Sequence, residues 1–313
     1  MPTHIGEIPL PRRSPHFLAC RRHLRVHASP AAAIGLSGGP DSLALVAAAL
    51  AEGVQVRAIC VDHQLQPGSR EVAEQAAATA RRMGAEAVVA PVTVDARAGG
   101  MEAAARRARY AALRAQAGSR PVWVAHTLDD QAETVLLSAL RGRVAGMAVS
   151  DRHVQRPFLG LRRADTVGAC AELGLRPWQD PLNEDASVRR IAIRSKVMPL
   201  LEEITGADVA PALARAAATA REDADFIAAQ VPEIDSDGVS VSLASAPRAL
   251  RVRSIIAFLR HHDAAVSAAT IDAVDALLVN WHGQGGVAVG KTAEGLRLVV
   301  RRKSGTLVMD ESP

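Results

Sequence analysis

The sequence predicts an α/β fold: a doubly wound parallel sheet, followed by a long connector helix and a small α+β domain. Three observations support this prediction. Between residues 31 and 141, short apolar runs alternate with longer runs whose apolar residues recur at helical spacing. The loops between these runs are short, which favours parallel strands covered by helices on both faces. Beyond residue 235 the alternation stops, and two helical patterns and a hairpin pattern follow.

The first predicted domain, residues 1–204, begins with a loose arm over 1–15, where four prolines occur. A short amphipathic helix follows at 17–26. The predicted strands of the sheet are 31–36, 54–61, 87–94 and 121–125. The predicted helices are 41–52, 69–83, 101–117 and 129–141. Each strand is short, apolar and bounded by turn residues, whereas each helix carries an apolar stripe on one face.

A helical connector is predicted over residues 205–234, because one amphipathic pattern continues from 205 to 230. A second, small α+β domain would then occupy residues 235–313. Its predicted elements are a strand at 239–243, helices at 247–262 and 267–280, and a hairpin over 286–301.

Composition and charge exclude several classes of protein. Hydrophobic residues make up 49% of the chain and charged residues 22%, and the net charge of +4 is compatible with nucleic-acid binding without establishing it. The three cysteines, Cys20, Cys60 and Cys170, form no C-x-x-C pair, so we predict neither a zinc nor an iron–sulfur site. The N-terminus lacks the pattern of a secretory signal and no apolar run could span a bilayer, so we expect a cytoplasmic protein.

The strongest motif lies between the first predicted strand of the sheet and the helix that follows it. It consists of Ser37, Gly38, Gly39, Pro40, Asp41 and Ser42. Glycines let the backbone approach a ligand, and the helix start offers unpaired N–H groups and the positive end of the helix dipole. This combination predicts a phosphate site. An ordinary turn would explain the four central residues, but it would not explain the serines on either side of them.

Further polar residues follow the ends of the second and fourth predicted strands, where parallel sheets bind ligands. These residues are Val61, Asp62 and His63 in the first case, and His126, Asp129, Asp130 and Glu133 in the second. Helix capping would account for one or two of the acids, but it accounts poorly for His126. Asp130 and Glu133 share one helix face. Near Asp41 they would concentrate negative charge, which requires Mg²⁺ or a cationic substrate between them.

These motifs together resemble the PP-loop ATP pyrophosphatase family, whose signature is the S-G-G-x-D-S hexapeptide. The patterns H-x-x-D-D-x-x-E-T, V-D-H and E-x-x-x-R-x-x-R-Y further resemble the tRNA(Ile)-lysidine synthases within that family. The match extends from about residue 31 to 200 and, with less specific motifs, over about 247 to 303. The resemblance implies the adenine nucleotide alpha-hydrolase-like fold, which agrees with the doubly wound sheet predicted above.

The resemblance implies a ligase that joins free L-lysine to carbon 2 of the wobble cytidine, position 34, of a tRNA(Ile) with a CAU anticodon. The cytidine would first be adenylated, and ATP would yield AMP and diphosphate, with Mg²⁺ as cofactor. In this scheme Ser37 to Ser42 hold the pyrophosphate and Asp41 also binds Mg²⁺. Asp130 and Glu133 hold the lysine ammonium or Mg²⁺, and His126 lies beside the nucleotide or the base. The resemblance does not decide which residue takes the proton from the amine. It also leaves open whether the protein forms a homodimer.

Two basic segments complete the substrate site that the resemblance implies. The first contains Glu102, Arg106, Arg109 and Tyr110, and the second contains Asp180, Asn183, Arg190 and Arg194. A solvated basic face is the alternative for the first segment, and the resemblance favours tRNA or substrate positioning. The small domain would contribute to tRNA binding. The chain departs from the family pattern at Leu182, at Ile191 and in a shortened loop over 141–147.

Two other functions are compatible with the same fold. A PP-loop tRNA thiolase shares the adenylation step, but such cytidine-modifying enzymes generally need paired cysteines, which this chain lacks. A non-catalytic RNA-binding protein would be favoured by loss of Asp41 or of the acid pair Asp130 and Glu133, and all three residues are present.

Overall fold

The computed structural model describes residues 3–27, 29–95, 100–151, 154–180, 188–231, 238–292 and 294–312. The chain divides into two compact units, Met1–Ala218 and Thr219–Pro313. Among the described residues, no helix is both long enough and apolar enough to cross a membrane.

The first unit contains an antiparallel ribbon, a six-stranded sheet and the helices around it. The ribbon is β1 (His4–Ile5) and β2 (Ile8–Pro9), and the sheet strands are β3 (Ala31–Gly35), β4 (Gln55–Asp62), β5 (Glu86–Pro91), β6 (Val122–Trp123), β7 (Ser150–Asp151) and β8 (Val154–Gln155). The helices are α1 (Pro15–Leu24), α2 (Pro40–Ala51), α3 (Ser69–Arg82), α4 (Met101–Ala117), α5 (Leu128–Ala139), α6 (Arg163–Glu172), α7 (Arg189–Ala192) and α8 (Met198–Thr205). A π-helical turn, Ile193–Val197, joins α7 to α8, and α9 (Ala210–Ala228) crosses the boundary between the units.

The strand order of the sheet is β5-β4-β3-β6-β8-β7, and all strands except β7 are parallel. The chain therefore starts in the middle of the sheet, winds outwards to β5, and returns to the other side of β3 with β6. The doubly wound parallel sheet predicted from the sequence is confirmed. Such a reversal of winding opens a crevice beyond the carboxyl ends of the central strands, where ligands bind.

Alternate residues of the central strands pack on opposite faces of the sheet. Ala32 and Ile34 belong to the core beneath α1, α2, α3 and α6, whereas Ala33 and Ile59 belong to the core beneath α4. Helix α2 is rich in alanine and almost wholly buried, and it packs against α1 and α6. Because the separation of packed helices depends on the size of the side chains between them, these alanines allow close layers with few aromatic residues.

The predicted elements between 31 and 141 are confirmed, with ends that differ by a few residues. Helix α9 (Ala210–Ala228) forms most of the single helix predicted over 205–230, but it starts five residues later than predicted, because α8 ends at Thr205. Gly206 adopts a left-handed backbone conformation (φ 64°), and the Asp208 carboxylate accepts the Ala210 N–H at 3.1 Å. A left-handed glycine after the last turn is a common helix terminator.

The second unit is an antiparallel four-stranded sheet with two helices. Its elements are β9 (Val239–Ser240), a 3₁₀ turn (Val241–Ser245), α10 (Arg248–His261), α11 (Ala268–Val279), β10 (Val287–Lys291), β11 (Arg297–Lys303) and β12 (Thr306–Ser312). The strand order is β10-β11-β12-β9. The strand predicted at 239–243 is wrong beyond Ser240, because the Ser240 hydroxyl accepts the Ser242 N–H at 3.2 Å and turns the chain.

Candidate active site

The loop between β3 and α2 is held closed by its two serines. The hydroxyl oxygens of Ser37 and Ser42 are 3.1 Å apart, and the Ser42 hydroxyl donates to the Gly39 carbonyl at 3.0 Å. Gly38 has φ 84°, and a Cβ there would come within 3.3 Å of the Ala76 Cβ. The backbone angle therefore favours glycine, and the tight approach to Ala76 adds to that preference. Pro40 occupies the first helical position, where no N–H is needed, so the loop presents a preformed helix N-terminus suited to phosphate.

A cavity of about 270 Å³ lies beside this loop at the carboxyl ends of β3 and β4. It is lined by Ser37, by the predicted nucleotide contacts Val61, Asp62 and His63, and by Trp178 and Asp180, among others. The Asp62 carboxylate accepts the Gln64 N–H at 3.0 Å and the Ser69 hydroxyl at 2.7 Å, so Asp62 orders the rim of the cavity. A concave, largely apolar space with a few fixed polar groups suits a nucleoside.

Arg109 and Arg106 lie in different environments, although both belong to α4. Arg109 lines the cavity, and burial lowers its pKa. Arg106 is exposed, and its guanidinium lies 5.0 Å from the centre of the Tyr110 ring. Arg109 can therefore reach a ligand in the cavity, whereas Arg106 faces solvent. The side chain of Glu102 lies outside the described structure.

On the other side of the loop, Asp130 and Glu133 are buried on α5, with 8% and 1% of their surface exposed. Three arginines surround them. Arg163 Nη2 is 2.7 Å from Asp130 Oδ1, and Arg190 Nε and Arg194 Nε are each 2.7 Å from a Glu133 carboxylate oxygen. Two buried carboxylates this close need compensating cations, and the protein itself supplies them.

Arg163 also links the acid pair to the phosphate loop. Its Nε is 3.6 Å from Asp41 Oδ2, and its Nη1 is 3.3 Å from Glu133 Oε1. The Thr166 hydroxyl donates to the other oxygen of Asp41. Burial raises the pKa of Asp41, while Thr166 and Arg163 oppose that rise. Asp41, Asp130 and Glu133 are thus brought together around one guanidinium.

The acids at the start of α5 also serve as helix caps. Thr127 and Asp130 form a reciprocal capping box, in which Asp130 Oδ2 accepts the Thr127 N–H at 2.7 Å. The other oxygen of Asp130 remains for Arg163. Asp129 caps a different helix, because its Oδ2 accepts the Arg163 N–H at the start of α6, also at 2.7 Å. Capping therefore explains one hydrogen bond of Asp129 and part of the role of Asp130.

His126 lies between the two halves of the site, at the end of β6. Burial lowers its pKa to about 3; the carboxylate of Asp130 opposes this shift, while the charges of Arg109, Arg156 and Arg190 add to it. Its buried Nδ1 has no hydrogen-bond partner among the residues that the structure describes. The imidazole is therefore neutral at physiological pH, with one ring nitrogen available to a ligand.

Several features of this site were not predicted from the sequence. The adjacent arginines at 162 and 163 suggest a solvated surface pair, yet Arg163 enters the site and Arg162 binds Asp129 at 3.0 Å as well as Asp208. Arg163 and Thr166 lie on α6, which follows β8. Because β8 has only two residues, no sequence pattern indicated that a strand end precedes them. Asn183 and Leu182 lie outside the described residues.

The predicted metal ligands Asp41 and Asp130 both contact Arg163. Among the described residues, no three His, Cys, Asp or Glu side chains surround a common metal position. Mg²⁺ usually takes one or two protein carboxylates together with substrate phosphate oxygens and water. The donors present therefore fit an ion that binds together with a nucleotide, and they do not form a complete protein cage.

The fold and the loop at its switch point define a PP-loop protein, and residues 17–201 match the PP-loop domain family. The U34-tRNA thiolase NcsA of Methanococcus maripaludis has a similar fold, with a TM-score of 0.52 over 70% of this chain and 88% of that chain. The sequences are 17% identical, so this likeness concerns the fold alone.

Curated relatives define the family more narrowly. The chain is 54% identical to the tRNA(Ile)-lysidine synthase of Corynebacterium glutamicum, over 98% of this chain and 99% of that protein. It is 48% identical to the tRNA(Ile)-lysidine synthase of Mycobacterium tuberculosis, over 94% of this chain and 96% of that protein. The chain belongs to the tRNA(Ile)-lysidine synthase family.

Proposed function

We propose that the protein ligates free L-lysine to carbon 2 of the wobble cytidine in tRNA(Ile) with a CAU anticodon, using ATP and Mg²⁺. The observation that carries this proposal is the buried acid pair Asp130 and Glu133, linked through Arg163 to Asp41 of the phosphate loop. An acid pair at this place suits an amine substrate, and the loop suits a triphosphate. The relatives' names supply the identity of the amine and of the RNA.

The reaction would proceed in two displacements. The cytosine O2 attacks the α-phosphorus of ATP and diphosphate leaves, which turns a poor leaving group into an AMP ester. The ε-amino group of lysine then attacks carbon 2, AMP departs with the oxygen, and the amine loses its protons. The backbone N–H groups at the start of α2, with Ser37 and Ser42, would stabilise the negative charge on the diphosphate. Mg²⁺ bound by Asp41 would add electrostatic stabilisation of the phosphates.

The remaining side chains would position the two reacting groups. Asp130 and Glu133 would hold the lysine ammonium, and Arg109 would contact the phosphate or base from the wall of the cavity. His126, which is neutral, would hydrogen-bond to the nucleotide or the base. Tyr110, Asp180, Arg190 and Arg194 would help to position the RNA. Positioning of this kind is the main contribution that a protein makes to reactions at phosphorus.

Incorporation of radiolabelled lysine into tRNA tests the proposal. Label should enter total tRNA only when ATP and unmodified CAU-anticodon tRNA(Ile) are present. The variant Asp41→Asn should stay folded and lose tRNA-dependent AMP formation by about 100-fold or more, the usual cost of removing a group that stabilises transition-state charge. Asp151→Asn is the matched control, because Asp151 is exposed on β7. Turnover at the wild-type rate in Asp41→Asn would refute the role of the loop.

A thiolase is the alternative that the same fold allows. Its disadvantage here is that Cys20, Cys60 and Cys170 are free and buried. Burial raises the pKa of Cys60 and of Cys170 to about 12, so neither is a thiolate at neutral pH. Sulfur incorporation into tRNA without lysine incorporation would favour the thiolase.

A further inference from the structure

The charges around the acid pair are already balanced by the protein. The ionic cluster consists of three carboxylates, Asp41, Asp130 and Glu133, and three guanidiniums, Arg163, Arg190 and Arg194. The formal charge of the cluster is therefore zero. A buried site attracts an ammonium ion strongly only if its net charge is negative, because the ion loses its hydration on entry. One or more of the internal cations must leave before the acid pair can hold lysine.

The three arginines differ in how firmly they are held. Arg163 contacts all three carboxylates, and its side chain is 22% exposed. Arg190 and Arg194 have side chains that are 32% and 36% exposed, and they interact mainly with Glu133. Their more exposed guanidiniums are the ones that can change partner.

The backbone that carries these two arginines is also irregular. Arg190 lies on the four-residue helix α7, and Arg194 lies on the π-helical turn that follows it. Short π-helical turns inside α-helices occur often at functional sites, since they are a less regular form of helix. Arginine binds phosphate with the same two-pronged geometry that it uses for carboxylate. A phosphate can therefore replace Glu133 as the partner of either side chain.

We propose that Arg190 and Arg194 are exchangeable counter-ions that keep the lysine site closed until a phosphate group of another substrate draws them away. The inference rests on the proposed function. It makes lysine binding depend on prior binding of the tRNA or of ATP, both of which carry phosphate. Of these two, the tRNA backbone is favoured. Arg163 is the cation of the cluster that lies next to Asp41 and the phosphate loop, so it is the one that the phosphates of ATP would meet. Arg190 and Arg194 are then left for the phosphates of the RNA. The consequence is an order of addition in which the amine enters last.

Calorimetric titration with free L-lysine tests the exchange. In the absence of RNA and ATP, Arg190→Gln/Arg194→Gln should bind lysine about tenfold more tightly than the wild type, as expected when a like charge is removed from an ammonium site. Arg189→Gln is the control, because Arg189 is exposed on the same helix. Equal or weaker binding of lysine by the double variant would overturn the proposal.

A second measurement uses the wild-type protein alone and so does not depend on the folding of a variant. Lysine affinity should rise when unmodified tRNA(Ile) transcript is added without ATP, and this identifies RNA phosphate as the partner. A rise with a non-hydrolysable ATP analogue instead would support the exchange and assign it to the nucleotide. No rise with either ligand would overturn it. If both titrations behave as expected but the wild type never transfers labelled lysine to tRNA, the proposed function fails and the counter-ion exchange stands.

Discussion

Arg163 connects the phosphate loop with the acid pair Asp130 and Glu133. Its guanidinium contacts Asp41, Asp130 and Glu133, and its backbone N–H binds Asp129. A buried carboxylate without a partner costs several kcal/mol, so these acids can lie close together because the guanidiniums of Arg163, Arg190 and Arg194 lie among them. The backbone hydrogen bond to Asp129 fixes the start of α6, and the guanidinium helps to orient the Asp41 carboxylate.

His126 gives the stability of the protein a specific dependence on pH. Its pKa is lowered by burial from 6.5 to about 3 in the folded state, so from pH 6.5 down to about 3 the unfolded chain binds a proton that the folded chain does not. The stability that His126 contributes is complete above pH 6.5 and is lost as the pH falls, by up to about 1.4 kcal/mol per pH unit. Urea unfolding of His126→Gln between pH 7.5 and 5 should show a shallower loss than the wild type.

The exposed residue His4 provides the control for that experiment. His4→Gln should lose stability with falling pH as steeply as the wild type, because His4 is exposed and its substitution leaves the buried imidazole of His126 in place. A slope in His126→Gln equal to that of the wild type would mean that the buried imidazole is not the source of the dependence.

At this scale, the sequence and the family resemblance named the acidic residues of the site together with Arg190 and Arg194, but not Arg163 or Thr166. Asp41, Asp130 and Glu133 stand in motifs whose spacing relates them to helix starts after apolar strands. Arg163 and Thr166 follow strand β8, which is too short to leave an apolar run. An arginine beside another arginine carries no signal for burial, since that depends on which chain segment packs over it.

Helix α6 joins the site to the N-terminal part of the first unit. Arg163 at its start contacts the acid pair, Thr166 one turn later contacts Asp41, and Glu172 at its end accepts hydrogen bonds from α1. The helix packs along both α1 and α2. Because α2 begins in the phosphate loop, a shift of α6 would move the loop and the acid pair together.

The Glu172 carboxylate serves as the N-terminal cap of α1. It accepts the N–H of His16 at 3.2 Å and the N–H of Phe17 at 2.8 Å, and α1 has no side-chain cap of its own. Glu172→Ala should lower the free energy of unfolding by about 1–2 kcal/mol, the usual cost of a lost cap. Glu172→Gln, which keeps one acceptor oxygen, should lose less. Urea unfolding measures both, and Glu172→Ala with wild-type stability would contradict this role.

At the scale of elements, the sequence predicted well wherever a helix or strand is long and periodic. Helices α2 to α5 and strands β3 to β5 follow the apolar patterns closely. The two-residue strand β8, the helix α6 and the last strand β12 were not predicted, because pairing and packing with distant segments define them. The start of α9 was predicted at residue 205 rather than at Ala210, where the left-handed Gly206 separates it from α8.

At the scale of the whole molecule, the second unit has a hydrophobic core of its own. This core includes Phe258, Val274, Val300 and Leu307, each with 0% of its surface exposed. The ionic cluster, the phosphate loop and the nucleotide cavity are built from residues of the first unit. ATP binding should therefore need only the first unit, whereas the second unit is free to serve the recognition of the large substrate.

Truncation after residue 231 tests this division of roles. The cut preserves all of α9, which ends at Ala228, and removes every element of the four-stranded sheet. The shortened chain should bind ATP with an affinity within about threefold of the full-length protein, because no element of the nucleotide site is lost. Its affinity for tRNA(Ile) should fall by about tenfold or more, since we expect the second unit to supply part of the contacts with the RNA phosphates. Equilibrium binding of labelled ATP and filter binding of tRNA at one fixed salt concentration measure the two affinities.

Equal tRNA binding by both chains would assign RNA recognition to the first unit, and a loss of ATP binding in a folded truncation would show that the nucleotide site needs the second unit.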